Sequence, residues 1–179
     1  MAESFINSVT RAVGVVTSSS AGSVGVQTNL ITGITTTNVS VGDIVQNGNF
    51  IAGTKVSSIG VNSTTVDRDS TNTTAASSQT VKYLGLTTAY TSASGTKSII
   101  IGGTFANNTP NEVELTVHLY DNSATATPAI ISRVPVPQGS SFVLSDTGKT
   151  VLEGLDAIRV YCDTANGVDV QLGILKGVS

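Results

Sequence analysis

The sequence predicts an all-β protein, an antiparallel β-sandwich of jelly-roll type that carries a small inserted β domain. Three observations predict it. The 179 residues include 48 Ser plus Thr and 23 Val against 4 Phe, 4 Tyr and no Trp. That balance favours β-branched strand formers and short turn residues over helix formers. Val113, Leu115, Val117 and Leu119 alternate with Glu114, Thr116 and His118, the period of a strand with one face in a core and one in water. Towards the C-terminus short apolar runs return at roughly the 8–12-residue spacing of a sandwich or jelly roll.

Taken in order, residues 1–18 read as an N-terminal arm and a first strand. Phe5, Ile6, Val9, Val13 and Val16 fit one face of a short helix, but Gly14 and the β-branched run favour a strand from about Arg11. The first ten residues are then an arm that packs on the core or on a neighbouring subunit. Residues 19–86 read as the inserted domain, bracketed by two Ser/Thr-rich hinges at 18–25 and 70–80 that lack the apolar content to pack. Between them apolar bursts separated by glycines predict strands of three to six residues. Asn47-Gly48 is the strongest hairpin signal in the chain, because both residues readily take positive φ.

Residues 87–179 read as the main sandwich, and Val81 through to Tyr90 reads as another strand after the second hinge. Residues 98–108 and 112–120 are expected to form a pair of antiparallel strands, the spine of the sandwich, with Asn107-Asn108-Thr109-Pro110-Asn111 as the corner between them. The strand around Ala129 to Val136 contains Pro135 and is followed by Pro137. Neither can donate to a ladder, so this strand is expected at an edge or to end by Val134. Strands at 141–144, 149–152, 157–162 and 168–174 follow, with a turn at Asn166-Gly167.

Composition and charge exclude several functions. Only 12% of residues are charged and the net charge is -3, which leaves no electrostatic footprint for nucleic acid or an anionic membrane. The segment Met1 to Phe5 has no basic region and no apolar run, and no stretch reaches the ~20 apolar residues of a membrane span. The expectation is a protein made soluble in a cytoplasm, in which the Asn-x-Ser/Thr triplets at Asn38, Asn62, Asn72 and Asn107 are not glycosylated. The lone Cys162 has no disulfide partner and reads as a small core residue.

Chemistry-bearing clusters are also missing. His118 lies on the polar face of its strand, and no Gly-x-Ser-x-Gly elbow accompanies it, so a Ser–His–Asp triad has no local support. One imidazole and one thiol fall short of a zinc shell. Asp67-Arg68-Asp69 with Asn62 and Asn72 is a conceivable Ca²⁺ site, but Arg68 supplies its own ion pair and no glycine makes the sharp loop turn. Ile101-Gly102-Gly103-Thr104 lacks the Lys and helix start of a phosphate loop and reads as a bulge or a close backbone approach. The expectation is no enzyme activity, no catalytic residue, no metal and no cofactor.

Two stretches carry a resemblance. Residues 41–66, with Val41-Gly42-Asp43-Ile44-Val45 leading through a glycine turn to Ile51-Ala52-Gly53-Thr54-Lys55-Val56-Ser57-Ser58-Ile59, resemble a module of bacteriophage tail, baseplate and fibre proteins. From Lys97 onward, Ile99-Ile100-Ile101-Gly102, Val134-Pro135-Val136-Pro137-Gln138-Gly139 and Val151-Leu152-Glu153-Gly154-Leu155-Asp156 resemble small β-sandwich virion proteins of tailed bacteriophages. In that family a short first strand runs straight into the equivalent of Thr91-Ser92, and its interruption here is the reason for expecting an insert. The family has no catalytic residues to carry over.

What the resemblance implies is a structural protein of a tailed-phage virion, self-associating and docking on neighbouring virion proteins in the tail, neck or fibre-attachment region. Head decoration is the alternative position. A trimer or larger ring is the expected homo-oligomer. A host-glycan-binding module is the rival of a different class, weakened by the absence of Trp and by having only Tyr83, Tyr90, Tyr120 and Tyr161 for stacking on sugars. A hydrolase built on His118 is the third reading.

Overall fold

The computed structural model describes residues 3–144 and 149–178; Met1 and Ala2 of the expected arm lie outside the described residues. The protein is all-β, with no helix among the described residues and therefore none long and apolar enough to cross a membrane. In chain order the strands are β1 (Ser4–Val13), β2 (Val16–Val24), β3 (Leu30–Thr32), β4 (Ile44–Gln46), β5 (Val56–Gly60), β6 (Ser63–Val66), β7 (Ala76–Leu84) and β8 (Thr87–Thr91). They continue with β9 (Lys97–Asn107), β10 (Val113–Tyr120), β11 (Ala129–Val136), β12 (Ser141–Leu144), β13 (Thr150–Leu152), β14 (Ala157–Cys162) and β15 (Val168–Val178).

Two sheets form the sandwich. One is five-stranded, in the order β1-β15-β9-β12 with β13 also on β9, and the other is four-stranded, in the order β11-β10-β14-β8. All these pairings are antiparallel. Their facing sides bury Phe105, Leu115, Val117, Leu152, Val160 and Val168 without measurable exposure. The alternation of β10 and β15 explains this directly, since every second side chain enters the core. A third, six-stranded sheet, β4-β7-β2-β3-β6-β5, draws all its strands from residues 16–84. It closes over a separate cluster that includes Val24, Ile31, Val56, Val66, Val81 and Tyr83. The buried Tyr83 hydroxyl is matched by Thr64 Oγ1 at 2.8 Å, as a phenol out of water requires. Gly85 N–H donates to the Val15 carbonyl at 2.9 Å, so this segment leaves and re-enters the sandwich at neighbouring points.

Several expectations are corrected. The first ten residues are not an arm: from Ser4 they belong to β1, which pairs with β15 in register Ser4↔Lys176 to Thr10↔Val170. Its burial alternates strictly along Ser4 to Ala12, so the apolar residues that fit a helical face also fit a strand whose two sides are both partly apolar. The strand ends in a bulge where Ala12 takes φ 59° and Gly14 φ 92°. A Cβ on Gly14 would run into the Thr164 carbonyl oxygen.

The two Ser/Thr-rich stretches are not hinges. They are much of β2 and β7, paired with each other in register Ser18↔Tyr83 to Gly22↔Gln79. Their hydroxyl side chains are mostly exposed, and a strand with a solvated face needs apolar residues only at alternate positions. The stretch from Val81 to Tyr90 is two strands in different sheets, broken at Gly85-Leu86.

Residues 98–108 and 112–120 are both strands, but β9 and β10 are not paired. They lie in opposite sheets, and the Asn107–Asn111 corner carries the chain across the sandwich. Asn107 builds that corner: its Oδ1 accepts from Thr109 N–H at 2.8 Å, and its Nδ2 donates to the Asn111 carbonyl at 2.7 Å and the Val136 carbonyl at 2.9 Å. Asn47-Gly48 does not make a two-residue hairpin, and neither residue has positive φ. Asn47 instead uses its side chain, accepting from Asn49 N–H at 2.9 Å and donating to the Thr80 carbonyl at 2.8 Å. The tight hairpin is at Val61-Asn62 between β5 and β6, with Asn62 at φ 52°. The strand with Pro135, β11, is at a sheet edge, as its missing donors require.

Candidate functional site

The outer side of the five-stranded sheet is built by strands whose outward residues are themselves apolar. Directly opposed residues on neighbouring strands share a face, so the register sorts the outward side chains into rows. Phe5, Leu175, Ile99 and Val151 form one row across four strands. Val9, Gln171, Thr104 and Val143 form a second. Between them lie Asn7, Gly173 and Gly102. With no side chains on the two glycines, the middle row is a trough between two ridges, roughly 7 Å from each at the rise of a strand. Phe5 is 77% exposed and Val9 67%, with Val143 and Val151 about half exposed. No charged residue belongs to these rows. Two ion pairs stand at corners of this side, where Lys97 meets Glu153 at 3.5 Å and Arg11 meets Asp169 at 3.7 Å.

The bulge or close approach expected at Ile101-Gly102-Gly103-Thr104 lies at this place. The β15–β9 register shifts between Gly173 and Ile174, next to Gly102. A Cβ on Gly103 would press on Leu172 Cδ2 at 2.7 Å. Not anticipated was that β1, β9 and β15 carry apolar residues on both faces. The run Ile99-Ile100-Ile101 was the available signal, because consecutive isoleucines in a strand must point to opposite sides.

The outer side of the four-stranded sheet has the opposite chemistry. Arg133 Nε donates to Glu114 Oε1 at 2.9 Å, and Arg159 lies over the Tyr120 ring at 3.6 Å. His118 stands edge-on to Tyr161 with centroids 5.3 Å apart. The segment 42–55 of the six-stranded unit packs here: Lys55 Nζ lies 5.4 Å from the Tyr161 centroid, and a Cβ on Gly53 would meet Glu114 Oε1 at 2.7 Å. Burial of the Tyr161 ring, with the Asp43 charge beside it, raises the phenol pKa. Asp43 and Asp163, both near this junction, are themselves raised, chiefly by desolvation.

The residues weighed for chemistry fall in different places. His118 is half-buried; its Nδ1–H donates to the Thr127 carbonyl at 2.9 Å, while Nε2 is buried without a partner among the described residues. No serine or carboxylate bonds to the ring among the described residues, so the geometry assembles no triad there. Cys162 is 1% exposed, and desolvation pushes its thiol up to about 12, the protonated and unreactive form. Asp67 Oδ1 accepts from the Lys55 N–H at 2.8 Å and its other oxygen faces Arg68 at 4.0 Å. Among the described residues no three His, Cys, Asp or Glu side chains converge as metal ligands. Tyr83 is fully buried, Tyr90 bonds Ser98 Oγ at 2.9 Å, and Tyr120 lies under Arg159. None of them forms an open stacking platform for a sugar.

No family model, no curated protein and no solved structure matches this chain.

Proposed function

We propose that the chain is a non-enzymatic structural subunit of a tailed-phage particle, self-associating and docking on neighbouring subunits in the tail, neck or fibre-attachment region. The observation that carries the self-association is the pair of ridges, without a charged residue in either row, on the outer face of the five-stranded sheet. Burying a side chain such as Phe5 or Val9 is worth about 1.5–3 kcal/mol each relative to leaving it in water, so a face of this kind is stabilised by being covered. The phage assignment rests on the two sequence resemblances at residues 41–66 and from Lys97 onward. Low charge and short hydroxyl side chains suit close contacts that lose little side-chain entropy on ordering.

Light scattering of the purified chain across a concentration series tests the self-association: closed multimers are expected, and a monomer at every concentration overturns it. Labelled antibody against the chain, applied to intact particles, tests the position. Label at the tail or neck is expected; label spread over the head would favour the decorating role.

A further inference from the structure

The sheet edges of this molecule are defended unequally. β4, β5, β8 and β12 are edge strands of three to five residues, and β11 carries Pro135. Short edges and prolines are the usual means of discouraging a second chain from pairing. The β8 edge is further occupied, since the Ala89 carbonyl accepts from Ser8 Oγ at 2.9 Å and Thr10 Oγ1 at 3.3 Å. β1 is different. It is an edge strand of ten residues with no Pro and no Lys, and its outward side chains are Phe5, Asn7, Val9 and Arg11.

Those side chains, with the exposed Glu3 before them, are complementary to themselves when the strand is reversed. We propose that β1 pairs antiparallel with β1 of a second copy, with Asn7 on the two-fold axis. In that register Glu3 lies opposite Arg11 of the second copy, Phe5 opposite its Val9, and Asn7 opposite Asn7. On the inner side Ile6 meets Ser8 and Ser4 meets Thr10. A two-fold perpendicular to the sheet keeps like faces together, so register changes only in steps that move each residue two positions against its partner. One step either way sets Glu3 against Val9 or Arg11 against Phe5, and both lose the charge pair. Arg11 already lies 3.7 Å from Asp169 of its own chain; a guanidinium with five donors can serve both carboxylates. The contact is isologous and closes at two. It joins the two five-stranded sheets into one, and the two glycine troughs meet end to end at the Asn7 pair.

This inference rests on the self-associating reading above and names the surface and stoichiometry. Sedimentation of the parent, of Glu3→Arg, of Arg11→Glu and of an equal mixture of the two variants tests it. Each variant alone places like charges opposite at both ends, and about a tenfold rise in the dissociation constant is expected. The mixture restores both opposite-charge pairs in a heterodimer, so parent-like association is expected to return. Asn7→Cys, which alters no charge, is expected to form a disulfide-linked dimer on mild oxidation, while the buried Cys162 does not. If the parent associates but the variants do so equally well, or Asn7→Cys fails to cross-link, the β1 contact is overturned and self-association stands. A trimer whose stability ignores these substitutions overturns the β1 contact in the same way. A parent that stays monomeric overturns both.

Discussion

On the four-stranded sheet the outward residues of β10 are Glu114, Thr116, His118 and Tyr120, and those of β14 include Arg159 and Tyr161. On the five-stranded sheet the outward residues of β1 are Phe5, Asn7 and Val9, facing Leu175, Gly173 and Gln171 across the ladder. The first face is polar and is packed in part by residues 42–55 of its own chain. The second is largely apolar, and no other sheet of the described residues packs on it. The difference teaches that in this sandwich the face packed by its own chain is polar and the face left open is apolar. An intrachain neighbour, always present, can be held by ion pairs and aromatic edges. A face that a second copy covers, as proposed above, gains more from apolar area, which stabilises only on contact.

The sharpest way to break the comparison is to remove the intrachain cover by joining Val15 to Gly85. The sandwich core draws no residue from 16–84, and the two ends are already hydrogen-bonded neighbours, so the remaining sandwich is expected to fold. Chemical denaturation should show it less stable than the whole chain by roughly 2–3 kcal/mol, the order expected for re-exposing an aromatic contact surface. Loss of cooperative folding would show that the covered face is part of the sandwich's own foundation.

Next in size is Tyr161→Ala in the whole chain. It removes the His118 edge contact and the seat of Lys55, and a cost of about 2 kcal/mol is expected, below the range for a fully buried ring. In the excised chain the same substitution is expected to cost less than half as much. Equal costs in both would mean that Tyr161 acts within its own sheet only.

On the bare face, Phe5→Lys with Val9→Lys, which sets like charges opposite each other in the β1 pairing, is expected to leave monomer stability within about 0.5 kcal/mol, as for exposed positions generally. Self-association, read by light scattering, is expected to disappear. If stability falls by several kcal/mol instead, the face is structural and the contrast collapses.

The smallest effect is the pH response of the covered side. Desolvation is the main cause that raises Asp43, opposed by hydrogen bonds from Ser40 N–H and Thr17, and desolvation also leads the rise of Asp163. A raised carboxyl pKa means that the folded chain holds its proton to higher pH than the unfolded chain. This stabilisation is fully present below the unfolded value and is lost as pH rises through the folded one. Thermal melts are therefore expected to gain a few degrees as pH falls from about 7 towards about 4. Asp43→Asn should flatten that slope, whereas a flat profile in the parent would show the junction to be well hydrated.

Much of the fold was legible because β alternation is a local property. Val113 to Leu119 declared a half-buried strand, Val168 to Ile174 declared another, and Pro135 declared an edge. What misled were signals whose meaning depends on a distant partner. The serines and threonines of β2 and β7 look too polar to pack until the two strands are seen lying side by side, each supplying the other's backbone hydrogen bonds. Asn47-Gly48 offers a hairpin, but Asn47 finds the Thr80 carbonyl, and the positive φ goes to Asn62. The apolar outer face was half legible: the three isoleucines 99–101 require an apolar outward position, yet the rows exist only once β1, β15, β9 and β13 are in register.

By itself the sequence determined that this protein is built of strands, which residues of the clearly alternating strands turn inward, and that charged residues are few. Those follow from side-chain period, turn residues and composition, each readable within a few positions. Only the tertiary structure decided that β9 and β10 part into opposite sheets, that the two polar stretches form a ribbon, and that Phe5 and Val9 stand in water on an unguarded edge. Strand pairing joins residues far apart in the chain through backbone groups that every residue shares, so no local pattern names the partner.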